Sequence, residues 1–300
     1  MFAKLLLLML FALMIGGAYH FRPARERSVI GGKTTEGSRL RLMTWNVGYA
    51  ELEEDSRAHD QDLAAVAETI LQQDPDAIAL QELTGAGQLK ILLGLLKNQY
   101  RGEIAAAGGG VDRLEAILVK TSLGGRFAKV PAARKFAVAA TFPFGPDKRE
   151  VTFVSAHADA FYAARRRAYA EDLTDWTQNQ PAASLIFIGG DFNFELSRRD
   201  ESHLYSDNLK HDSEAYSHLL QTFRDLARDA GDTAINDRRI DYLFGPAEAV
   251  LFRSAQVLRG AAVGRMDHWP VVVEVALQGQ TCVSAPPFLP CICPPDGADT

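Results

Sequence analysis

The sequence predicts a mixed α/β fold in which two β-sheets pack face to face and helices cover their outer surfaces. Three observations carry that expectation. Short apolar runs such as VTFV, LIFI and VVVEV recur at lengths suited to buried strands. Longer stretches with apolar residues at helical spacing separate them. A polar residue also stands beside run after run, in RLMTWN, AIALQE, VTFVSAH, LIFIGGDFN, RIDYLF and MDHWPVVVEV. At 300 residues and 47% hydrophobic content, the chain can bury a large core as one large domain or two small ones.

Taken in order, residues 1–21 form a separate unit. Lys4 precedes an uncharged run from Leu5 to Tyr19, shorter than the roughly 18 to 20 residues that span a bilayer. It reads as a signal peptide, with Gly16 and Ala18 as small residues near a cleavage point. Arg22, Arg25 and Arg27 follow at once and oppose translocation, so an uncleaved N-terminal membrane anchor is the alternative. Either reading places the protein outside the cytoplasm, exported or tethered to the membrane. Residues 22–38 are a linker.

Residues 39–278 read as one domain. After the strand ending at Asn46, a helix is expected from Ser56 to Gln73, with Leu63, Val66, Ala67, Ile70 and Leu71 on one face and Asp74-Pro75 as its stop. The strand Ala77 to Leu80 and a helix from Gly87 to Lys97 follow. Beyond Gly108-Gly109-Gly110 come strands at Ala116 to Val119 and Phe136 to Phe142. A turn at Gly145-Pro146-Asp147 then returns the strand Val151 to Ser155. Phe142 and Phe144 read as strand core. A helix from Tyr162 to Gln178 carries Arg165, Arg166 and Arg167, read as a solvated face, and precedes the strand Leu185 to Ile188.

The polar stretch Ser197 to Asp237 is expected to hold one helix, from Tyr216 to Ala230, with loop around it. Strands at Ile240 to Phe244, Ala255 to Leu258 and Val271 to Val275 close the domain. No solenoid-type repeat is present. Residues 279–300 form a proline-rich tail holding Cys282, Cys291 and Cys293. No histidine lies near these cysteines, which disfavours zinc; in an exported chain one disulfide would leave an odd thiol.

The formal net charge of −6 argues against a protein that coats nucleic acid, though not against a nuclease, which needs only local positive charge. The polar strand ends supply the chemistry. Magnesium prefers hard oxygen ligands, so the Glu82 carboxylate with the Asn46 amide oxygen suits it. Asp191 and Asn193 alternate across Phe192, and in extended backbone both face one side, where the carboxylate takes a proton from water and the carboxamide donates to phosphate. Gly189-Gly190 permits close backbone approach. Alone, GDFN is equally an Asx-type turn, and His157 alone is a core histidine.

The ordered set TWN, LQE, SAH, GDFN, RIDY and MDHWPV closely resembles the endonuclease/exonuclease/phosphatase superfamily, the DNase I-like phosphoesterases, over about Leu40 to Leu277. The resemblance implies a four-layer α/β/β/α sandwich of two mostly antiparallel sheets. It also implies phosphoester hydrolysis with a divalent metal, magnesium, or manganese or calcium as alternatives. By resemblance Asn46, Glu82 and Asp267 attend the metal. Asp191, Asn193, His157, Asp241 and His268 are catalytic, with Asp241 holding His268 and His157 opposite it across the phosphate.

Val47-Gly48-Tyr49 lacks the acidic residue of abasic-site endonucleases two positions after the asparagine, which disfavours that role. Glu115 in DRLEAIL lies where some DNase I-like members pair an acid with the histidine, and it is left outside the expected site because the local alignment can slip. The expected activity is a phosphodiesterase acting on nucleic acid or on a phospholipid or its headgroup, monomeric, with membrane association through the N-terminus. A phosphomonoesterase and a catalytically silent binding module on the same fold are the alternatives.

Overall fold

The computed structural model describes residues 38–48, 60–105, 113–132, 135–182, 184–196, 206–247, 250–261, 264 and 266–277. The expected leader, nearly all of the linker and the cysteine-bearing tail lie outside the described residues. Among the described residues, no helix is long and apolar enough to cross a membrane.

Two six-stranded sheets form the centre. The first holds β1 (Arg39–Asn46), β2 (Ala77–Leu83), β3 (Tyr100–Ile104), β4 (Leu114–Lys120), β11 (Val250–Val257) and β12 (Val271–Leu277), in the order β11-β12-β1-β2-β4-β3. The second holds β5 (Arg126–Ala132), β6 (Lys135–Phe144), β7 (Arg149–His157), β8 (Leu185–Asp191), β9 (Phe223–Asp225) and β10 (Asp241–Pro246), in the order β5-β6-β7-β8-β10-β9. Neighbours run antiparallel except β1 with β2 and β7 with β8. Helices α1 (Asp60–Gln73) and α2 (Ala86–Leu95) cover the first sheet; α3 (Ala163–Gln178) and α4 (Leu209–Leu219) cover the second.

The layering follows from the two-residue period of strands. Leu40 and Leu42 of β1 face inward and join Ala79, Ile117, Phe153 and Leu243 between the sheets. Met43 and Trp45 face the other way and pack with Val66, Ile70 and Leu92 of the covering helices. On the second sheet Ile188, Tyr242 and Phe244 meet Tyr169, Leu173 and Leu219. The result is the four-layer α/β/β/α sandwich. Phe142 and Phe144 lie in the inter-sheet core.

Three expectations need correction. The helix placed at Tyr216 to Ala230 forms earlier, because the Asn208 side chain accepts the Lys210 and His211 N–H groups and starts α4 there. Leu219, Phe223, Leu226 and Ala227 mimic a helical stripe, but they serve two cores. Leu219 and Phe223 pack outside the second sheet, whereas Leu226 and Ala227 enter the layer between the sheets.

The strands β3 and β5 were not expected, and β11 begins five residues before its expected start. The arginine run is a solvated face at Arg165 and Arg167 but not at Arg166. Arg166 is wholly buried, with Nε and Nη2 on Asp212 of α4 at 2.7 and 3.0 Å and Nη1 donating to the Asp159 carbonyl at 2.9 Å. Arg165 pairs with Asp159, and Arg167 with Glu171 and Glu214.

Candidate active site at the strand ends

Inward-facing positions turn from apolar to polar at one end of the sandwich. Two residues after the core positions Ala79 and Phe153 the chain carries Gln81 and Ser155, and two residues before Ile117 and Leu243 it carries Glu115 and Asp241. Pairing aligns these ends: Asn46 lies opposite Gln81, His157 opposite Asp191, and Asp191 opposite Asp241. Parallel neighbours place strand ends side by side, which is why β1 with β2 and β7 with β8 deliver their last residues to one place. All of these side chains are buried.

Glu82 reaches the site by an irregularity. Following Gln81, it should face the helices, but a bulge in the β2–β4 pairing between Leu80 and Leu83 and a φ of 65° turn it. Gly48 makes room for it, since a Cβ there would sit 2.0 Å from Glu82 Oε2. Gly190 is needed for a similar reason: a Cβ would lie 1.9 Å from the Ala156 carbonyl oxygen.

The expected extended alternation stops at Asp191. Asn193 has a φ of 53°, and its N–H donates to Asp191 Oδ1 at 2.9 Å, so GDFN closes an Asx turn. Phe192 still enters the outer core, 5.3 Å from Phe244 in an edge-to-face contact. Asn193 Nδ2 is buried and has no hydrogen-bond partner among the described residues. It is a donor available to a ligand.

Asp191 Oδ2 is the point of convergence. Asn46 Nδ2 donates to it at 3.1 Å, His157 Nε2 stands 3.7 Å away, and His268 Nε2 stands 3.8 Å away. His268 Nδ1 is 2.8 Å from Asp241 Oδ2, which orients the ring, and the His268 carbonyl accepts from Trp45 Nε1 at 3.2 Å. The His157 ring lies between Glu82 Oε1 at 3.7 Å and Glu115 Oε1 at 3.8 Å, and the His157 backbone N–H donates to the Tyr169 hydroxyl. Asp267 is at the rim, 3.9 Å from His268 Nε2 and more exposed than the others.

Burial, above all, pushes Asp191 up to about 7; Asp241 and Glu82 add to the rise, while His268 and the Asn46 hydrogen bond oppose it. For His268 burial opposes the cation, but the charges of Asp241 and Asp191 and the Asp241 hydrogen bond outweigh it and lift the imidazole to about 10. The pair is thus biased toward an imidazolium at His268 beside an Asp191 carboxyl whose proton affinity is raised.

Ligand atoms of Asp191, Asp241 and His268 all lie within 4.8 Å of one another, a cluster compatible with a divalent metal. The wider donor set fits a hard cation. Glu82 and Asp191 both contact Asn46 Nδ2, at 3.2 and 3.1 Å, and their crowding contributes to the raised Asp191, which a cation would relieve. The Asn46 Oδ1 atom accepts the Gly48 N–H at 2.9 Å and keeps a second lone pair.

The structure thus gathers Asn46, Glu82, His157, Asp191, Asn193, Asp241, Asp267 and His268. It adds two residues to them. Glu115 is brought beside His157, where the resemblance already pairs an acid with the histidine although Glu115 stood outside the expected site. Arg113 lies 2.5 Å from Glu82 Oε2, and no sequence pattern pointed to it.

The sequence matches the family described as "Endonuclease/Exonuclease/phosphatase family" over residues 43–270, more than half of the chain. None of the curated proteins matches it. Among solved structures, the chain is similar to an endonuclease/exonuclease/phosphatase from Bacteroides vulgatus, with a TM-score of 0.61 and 18% identity over 80% of this chain and 99% of that one. It is similar to the human Nocturnin catalytic domain, with a TM-score of 0.59 and 20% identity over 80% and 94% of the two chains. A mannosyl-6-phosphatase from Bacteroides thetaiotaomicron gives 0.60 and 19% over 79% and 100%. These likenesses concern the fold. The family match, which runs across the strands that build the site, shows that the chain belongs to the endonuclease/exonuclease/phosphatase family.

Proposed function

We propose that the protein hydrolyses a phosphodiester by in-line attack of water with Asp191 as general base. The observation that carries this reading is the convergence of Asn46, His157 and His268 on one buried oxygen, Asp191 Oδ2. Glu82, with Asn46 and Asp267, would hold a divalent cation, magnesium first, which when bound supplies positive charge to the phosphate oxygens.

Asp191, raised toward neutrality, takes the proton of the attacking water as the new P–O bond forms. Asn193 Nδ2 donates to a phosphoryl oxygen, and the two imidazoles are placed to offset the negative charge that develops on the oxygens of the pentacovalent phosphate. The P–O bond to the leaving group breaks, its electron pair departs with the leaving oxygen, and His268 is placed to protonate it. Asp241 holds the ring that does so.

Substrate candidates are nucleic acid and a phospholipid or its headgroup. The apolar run Leu5 to Tyr19 supports an extracytoplasmic place for the enzyme, exported or tethered. Turnover of plasmid DNA, RNA, sphingomyelin, a phosphoinositide and simple phosphate mono- and diesters, each with and without chelator, tests the reading. Metal-dependent cleavage of a diester is expected. Cleavage of monoesters alone would replace it with the phosphomonoesterase reading, and silence on all of them, from folded magnesium-binding protein, would favour a binding module.

A further inference from the structure

Three residues that accompany the site side chains in their motifs have no place in that chemistry: Thr44 of TWN, Gln81 of LQE and Ser155 of SAH. All three are wholly buried. They meet between the two sheets, directly below the site. Gln81 Nε2 donates to Ser155 Oγ at 3.1 Å, and Ser155 Oγ donates back to the Leu80 carbonyl at 3.0 Å. Thr44 Oγ1 lies 3.4 Å from the Gln81 carboxamide. Gly189, the register partner of Ser155, completes the contact: a Cβ there would lie 2.8 Å from Phe153 and 3.1 Å from Thr44.

The surrounding layer is apolar, and burying polar groups there costs stability unless their hydrogen bonds are made. Apolar packing is non-directional and does little to fix how one sheet slides over another. A reciprocal pair of hydrogen bonds does, because each demands a distance and an angle. The division of the site makes that register matter. Asn46 and Glu82 belong to the first sheet, whereas His157 and Asp191 belong to the second. Each is one or two residues from the polar contact below, with the base Asp191 reached from Ser155 through its neighbour Gly189.

We propose that Gln81 and Ser155 are positioning residues that lock the two sheets in the register at which Asn46 and Glu82 meet His157 and Asp191. The kinetic arm of the test rests on the phosphoesterase reading; the structural arm does not. In the full chain, Gln81→Leu, Ser155→Ala and the double variant are compared with the parent. The measurements are kcat and KM on a simple phosphodiester with magnesium, and the crystal structure of each protein.

The expected result is a kcat lower by about 10- to 100-fold in each single variant, as a displacement near 1 Å would produce. KM should stay within about twofold, and the double variant should be no worse than Ser155→Ala alone, because that variant already breaks both inter-sheet bonds. In the variant crystals the Asn46 Nδ2 to Asp191 Oδ2 distance should exceed hydrogen-bond range, from 3.1 Å here. That contact kept in the single variants, a smaller drop in kcat, or additive losses would overturn the proposal. Should the parent show no turnover, the function reading fails while the crystal distances still decide the register. If Gln81→Leu does not fold, Ser155→Ala carries the test alone, since it deletes one oxygen and breaks both inter-sheet bonds.

Discussion

In the proposed reaction Asp191 has to remain buried among acids and still bind a proton only loosely enough to return it. Its neighbours set that balance, and they leave a signature in stability that can be measured without substrate. His268 is raised from 6.5 to about 10, so it contributes stability that is fully present below pH 6.5 and lost as pH rises through 10. Asp191 is raised from 3.8 to about 7, so the native state binds the extra proton, and stability falls as pH climbs between those values. Both terms have one sign. In chelator, urea midpoints should fall steadily from about pH 4 to pH 10, and His268→Gln should flatten the slope above pH 7. An unchanged slope in that variant would mean the imidazolium is not held as described.

Edge strands account for most of what the sequence concealed. β3, β5, β9 and β11 are the four edges of the two sheets, and they are the strands that were missed, mistaken for helix or cut short. An edge strand has one neighbour and more contact with water, so its alternation carries polar residues, as in RFAKVPA. Central strands such as LIFI, buried on both faces, were plain. Charge was misleading at the same scale. Arg166 looks like surface until Asp212 of α4 and Ser206, just before that helix, meet it, and pairing of that kind is not written locally. Arg166→Met should therefore cost about 3 to 5 kcal/mol in urea unfolding, by leaving Asp212 buried and uncompensated. Arg166→Met with Asp212→Leu should recover most of it; a single variant within about 1 kcal/mol of the parent would show that the pair does not tie α3 to α4.

Across the whole molecule, the site is a consequence of how two sheets end. Six strands bring inward-facing polar residues to one edge of a shared apolar core, which is why single residues spread from Asn46 to His268 were readable as one constellation. What a strand pattern could not convey was the bulge that redirects Glu82, the approach of Arg113, and the choice of Glu115 as the neighbour of His157. Each depends on pairing register, which only the assembled sheets define. The most direct test of the central claim is steady-state turnover of a simple phosphodiester by the parent protein and Asp191→Asn, each in chelator and then with magnesium restored. The account predicts that the parent is silent in chelator and recovers with magnesium, while folded Asp191→Asn stays lower by about 1000-fold or more. Turnover that persists in chelator, or an Asp191→Asn variant within tenfold of the parent, would contradict it.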